Sequence, residues 1–145
     1  MVLFDSDFMK LQPGDALPEV IKHLSQEKIN LYAESVGDFN PVHVDEAFAS
    51  QTPFGGTIAH GMLILAYVSE MMTLVFRENW LSGGKLSVRF KAPAHFRDIL
   101  IITGKINSIV REGDSFSFNC GVGCRNQNQE IIVNGEAVVK TTLNK

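Results

Sequence analysis

Apolar positions along this chain change their period once, near residue 84. Before that point they recur at helical spacing, and after it they alternate as strands do. Ile29, Tyr32, Ala33 and Val36 make one stripe of a helix that Ser25 can cap, with Glu27 favourably placed in its first turn. Gly37 suits the left-handed residue that ends such a helix. From residue 58 to about 77 the side chains are apolar on nearly every side, which predicts a helix wrapped by other structure. Ser82-Gly83-Gly84 marks a turn, and residues 86–91, 99–110, 115–124 and 130–143 then read as strands. Ahead of the first helix, a turn at Pro13-Gly14-Asp15 leads into an extended segment ending near Leu24. At least one strand therefore lies near the N-terminus.

These elements predict an α+β fold in which a curved antiparallel sheet surrounds one long helix. With 145 residues, 45% of them hydrophobic, and no linker or repeat, the expectation is a single domain over 1–145. Such a sheet leaves edges and an apolar flank that pairing would cover, so a dimer is expected. A net charge of −3 and a pI near 5.8 argue against a nucleic-acid binder. The opening MVLFDSDFMK has two acids and no apolar core, unlike a secretory signal. The apolar run 62–76 is broken by Ser69-Glu70 and falls short of the ~20 residues of a membrane span. A cytoplasmic protein that does not enter membranes is expected. Cys120 and Cys124 share one face of a strand with their Cα atoms ~13 Å apart. That is too far for a disulfide, so both read as buried apolar fillers.

The chemistry concentrates between Tyr32 and Ser69. Asp38 and His43 stand five residues apart across a turn stiffened by Pro41, which disfavours a helical Asn40. A carboxylate and an imidazole converging there can hold one water molecule, one group removing its proton and the other delivering a proton elsewhere. Alternatively, Asp38 makes an Asx turn and His43 is a hydrogen-bonded core residue. Asp45 can cap a short helix over residues 46–50. Gly61, at the predicted start of the long helix, lets a carbonyl approach free backbone N–H groups where a negative oxygen is favoured. Alternatively, it merely permits close packing. Ser69 lies eight residues further on, near the same face, and either positions a substrate or bonds back to its own helix. Asp38, His43, Asp45 and His60 also offer the His and carboxylate ligands of a metal site. Asp45 is better explained as a cap and His60 as scaffold, so no metal is expected.

Gly37-Asp38-x-Asn40-Pro41-x-His43-x-Asp45, then Phe54-Gly55 and Ile58-Ala59-His60-Gly61-Met62-Leu63, resembles the hydratase motif of MaoC-like (R)-specific enoyl-CoA hydratases. Phe90-Lys91-x-Pro93 and Gly135-Glu136-Ala137-Val138-Val139 extend the resemblance to nearly the whole chain. It implies a hot-dog fold, a homodimer with active sites at the subunit interface, and no metal or redox cofactor. It also implies Asp38 and His43 as the catalytic pair, Gly61 as an oxyanion-hole donor, and Asn40 and Ser69 as substrate-binding positions. The implied reaction is reversible hydration of trans-2-enoyl-CoA to (R)-3-hydroxyacyl-CoA. An acyl-carrier-protein dehydratase, a hot-dog thioesterase and a non-catalytic binding module are the alternatives. Lys85, Arg89, Lys91 and Arg97 are candidates to meet the CoA phosphates, and Phe39, Phe54 and Tyr67 to shape the acyl tunnel. Arg97-Asp98 departs from the Gly-Asp that relatives often carry, which puts that loop's shape in question.

Overall fold

The computed structural model describes residues 7–142. After a 3₁₀ turn, Asp7–Lys10, come β1 (Val20–His23), α1 (Gln26–Val36), α2 (Pro41–Val44) and α3 (Glu46–Ala49). The long helix α4 (Gly61–Phe76) and the short α5 (Glu78–Gly83) follow. The chain ends in β2 (Lys85–Phe90), β3 (Ile99–Glu112), β4 (Ser115–Arg125) and β5 (Ile131–Thr142). All five strands form one antiparallel sheet in the order β1-β3-β4-β5-β2. The last three strands are a meander, and β1 and β2 flank it. This is the hot-dog arrangement.

Alternation decides which face of the sheet meets the helix. Phe118, Cys120, Val122 and Cys124 of β4 are buried while their neighbours are not. Leu63, Ile64, Val68, Met71, Met72, Val75 and Phe76 of α4 pack against that face. Burying a side chain of this size contributes ~1.5–3 kcal/mol, so the helix–sheet contact dominates the stability. Both cysteines are free and buried, as their shared strand face predicts. Burial pushes the Cys120 thiol up to about 11 and, helped by the Asp98 charge, the Cys124 thiol up to about 12.

Four expectations are corrected. The long helix begins at Gly61, not residue 58, because Ile58 bridges His95 and the Ala59 N–H donates to the Ala94 carbonyl at 2.8 Å. That pairing holds the backbone extended until His60. Nor is the helix wrapped on every side within one chain: Met62 is 63% and Leu74 39% exposed. Pro41 does not lie in a purely non-helical turn. It opens α2, where a proline's fixed φ and missing N–H suit the first position. The Ser82–Gly84 region forms the end of α5 rather than a bare turn, set up by Arg77 at φ 53° between the two helices. Strand boundaries shift by one or two residues, and Leu143, placed in the last predicted strand, lies outside the described residues.

Candidate active site

The site is assembled from the end of α1 outward. Ser25 caps α1, its hydroxyl accepting the Lys28 N–H at 3.2 Å, and Gly37 ends the helix at φ 76°. The Asp38 N–H donates back to the Ala33 carbonyl at 3.2 Å. Asp38 Oδ1 accepts the Asn40 N–H and Asn40 Oδ1 accepts the Val42 N–H, each at 3.2 Å. Both readings of Asp38 are thus compatible: one oxygen makes an Asx turn and the other stays available on an exposed residue. The Asn40 side-chain oxygen is occupied as the cap of α2, which leaves its amide nitrogen for any contact with substrate.

His43 lies in α2, half-buried, with Nδ1 2.8 Å from the Ile58 carbonyl oxygen. A carbonyl only accepts, so Nδ1 carries the proton and Nε2 of the neutral ring holds a lone pair. That is the tautomer a general base needs. Gln26 secures the same turn by donating to the His43 carbonyl at 2.7 Å while accepting from the buried Thr57 hydroxyl. The His60 ring stacks on His43, centroids 3.9 Å apart and planes at 26°, and Tyr32 packs against His60 with centroids 4.9 Å apart. His60 Nε2 donates to the Asp38 carbonyl at 3.0 Å. One side-chain ligand atom from each of Asp38, His43 and His60 lies within 4.8 Å of the others.

Gly61 opens α4 immediately after His60, so the first N–H groups of the helix, which have no acceptor within it, lie next to this cluster. A Cβ on Gly61 would lie 2.8 Å from Cε1 of Phe90, so the ring edge covers the glycine. Phe90 itself is 53% exposed and free to swing aside. Ser69 is tied to Trp80 and Thr73 rather than to the pair. Its hydroxyl accepts from Trp80 Nε1 at 2.8 Å, tying α5 to α4, while its carbonyl accepts from the Thr73 hydroxyl. Asp45 is a cap, its Oδ1 accepting the Phe48 N–H at 3.1 Å.

The loop at Arg97 is held by its neighbour. Asp98, buried, accepts the His95 N–H at 2.9 Å and the Gln127 side-chain amide at 3.0 Å. Among the described residues, the non-glycine positions with positive φ are Arg77 and Gln129, so residue 97 has no conformational need for glycine. Arg97 is exposed with its guanidinium over the Phe96 ring.

A metal ion fits this cluster poorly. Ligands on one zinc, at ~2.0–2.2 Å from it, converge along their lone pairs. The stacked His43 and His60 rings instead present nearly parallel planes, and one nitrogen of each ring is engaged by a backbone carbonyl. The arrangement suits a water molecule accepted by one group and oriented by another.

The sequence reading missed Gln26, Thr57 and Phe90. The Gln26–Thr57 contact spans 31 residues and follows no local spacing. Phe90 was visible only as part of a strand.

Comparisons agree with the fold and the motif. The MaoC like domain family matches residues 11–115. A 3-hydroxybutyryl-CoA dehydratase of Methylorubrum extorquens is 31% identical over 140 residues, covering 92% of this chain and 82% of that protein. An (R)-specific enoyl-CoA hydratase of Rhodospirillum rubrum is 31% identical over 120 residues, covering 81% of this chain and 80% of that protein. The unliganded R-hydratase structure from Pseudomonas aeruginosa superposes with a TM-score of 0.78 at 27% identity, over 95% of this chain and 90% of that one. This chain belongs to the MaoC-like family.

Proposed function

We propose that this chain is a hydro-lyase that reversibly hydrates trans-2-enoyl-CoA to (R)-3-hydroxyacyl-CoA, with Asp38 and His43 as its catalytic pair. The observation that carries this reading is the Asp38 carboxylate beside a His43 whose tautomer is fixed by the Ile58 carbonyl. The thioester carbonyl would lie against Gly61, where the start of α4 stabilises the enolate oxygen. Water held by the pair gives one proton to His43 as its oxygen bonds to C3, the C2–C3 π electrons move toward the thioester carbonyl, and the pair then returns a proton to C2. Dehydration is the same path reversed. Asn40 and Ser69 are the supporting positions, Asn40 through its free amide nitrogen and Ser69 through the packing of α4. The relatives named as a hydratase and a dehydratase support one chemistry run in either direction.

The reading includes a homodimer, since among the described residues β2 pairs with β5 alone and Met62 and Leu74 of α4 are exposed. It also includes a cytoplasmic location, supported by two free thiols. Among the described residues, no helix is long and apolar enough to cross a membrane.

The test is loss of enoyl absorbance on a chain-length series of trans-2-enoyl-CoAs, with the product's configuration assigned by chiral chromatography. Asp38→Ala and His43→Ala should each lower kcat by ~10²–10⁴-fold while circular dichroism stays unchanged. Near-native turnover by either variant would sink the assignment. Faster reaction on carrier-protein thioesters would move the substrate to the carrier, and release of free thiol would make the enzyme a thioesterase.

A further inference from the structure

His60 is 3% exposed, and its Nδ1 is buried without a hydrogen-bond partner. An unpaired polar atom in the interior costs stability, and an apolar side chain such as phenylalanine would fill the site without that cost. A residue serving only as filler would have no reason to be histidine. What histidine adds is visible in two contacts. Its Nε2–H reaches the Asp38 carbonyl, and its face lies under the His43 ring.

We infer that His60 is a positioning residue that ties the two members of the pair together, holding Asp38 through its backbone and His43 through its ring face. The inference rests on the hydration reading. Asp38 sits on an exposed turn after α1, and His43 sits in a helix of four residues, so neither has a rigid element of its own. His60 is more rigidly placed. It caps α4, its carbonyl accepting the Leu63 N–H at 3.1 Å, and the adjoining Ala59 is paired with Ala94. The reacting groups therefore borrow the precision of the central helix.

The stack has a chemical consequence as well. When His43 takes the proton of water it becomes a cation, and the face of an aromatic ring attracts a cation. His60, donating from Nε2, offers that face in the tautomer with its lone pair on Nδ1. The single Nε2–H bond thus serves both jobs.

Two variants separate the jobs. His60→Phe keeps a ring under His43 and removes the donor. His60→Gln keeps a donor toward Asp38 and removes the ring face. Both should fold, and each should lower kcat by on the order of 10²-fold, the loss that ~1 Å of misplacement brings, with KM changed by less than about threefold. Were His60 only filler, His60→Phe would leave both kcat per folded molecule and the melting temperature no lower than the parent's, and His60→Gln would lower the melting temperature alone. Either variant turning over within about twofold of the parent overturns the inference. Histidine ¹⁵N spectra of the unmodified protein read the tautomers without any substrate: Nε2–H at His60 and Nδ1–H at His43 are expected. The opposite tautomer at His60 overturns the inference by itself. An inactive parent protein would sink the hydration reading, and the spectra would still decide the arrangement at His60.

Discussion

Gly61 has no side-chain chemistry, and the role proposed for it rests on its backbone alone. Its missing side chain leaves room beside the backbone at the start of α4, and the exposed Phe90 ring lies against that space. Gly61→Ala would place a methyl 2.8 Å from that ring. The ring can swing, and alanine is the better helix former by up to ~1 kcal/mol. Melting temperature should therefore stay within ~4 °C of the parent, while kcat/KM falls by on the order of 10²-fold as the thioester is pushed off its donors. A variant with full activity would remove Gly61 from the site. At this scale the motif made Asp38, His43 and Gly61 legible as candidates, because each role proposed for them needs a residue type that few others can replace. His60, Phe90 and Gln26 were not legible as partners of the pair. Their roles depend on atoms 17 to 31 positions away, such as the contact between Gln26 and His43 or that between Gln26 and Thr57.

Among the elements, α1 and the strands follow from local rules. A serine cap, a glycine stop and strict alternation each act within a few residues, so they could be read directly. The start of α4 could not. Apolar periodicity continues back to Ile58, and only pairing with residues 94 and 95 holds that segment extended. Contact between β2 and β5 shows the same dependence on distant partners. A Cβ on Gly135 would lie 2.1 Å from the Ser87 carbonyl oxygen, so the two strands approach where only glycine fits. Gly135→Ala should push β2 off β5 and cost ~1–3 kcal/mol, the range for overpacking. Urea unfolding measures this, and an unchanged midpoint would show that the strands separate without penalty.

For the whole molecule, the sheet ends at β2 on one side and β1 on the other. Met62 at the start of α4 and Phe90 at the end of β2 are both exposed, and the Phe90 ring lies against Gly61. A second copy paired along this side would cover both the strand edge and the helix flank, and would close the site from solvent. Light scattering should therefore give twice the chain mass. Met62→Lys should shift the protein toward monomer and lower activity in parallel, since a charge buried in such an interface is costly. A fully active monomer would separate the site from the dimer.

The sequence by itself determined the kind of fold and the buried cysteine face, and it named the residues proposed here as the pair. These rest on periodicity, on residues with special backbone needs, and on a motif whose chemistry is local. The tertiary structure decided where the central helix begins, which of its faces remains open, and what holds the pair in place. Those features arise when segments far apart in the chain pack together, and the energy of that packing outweighs the local preference of either segment.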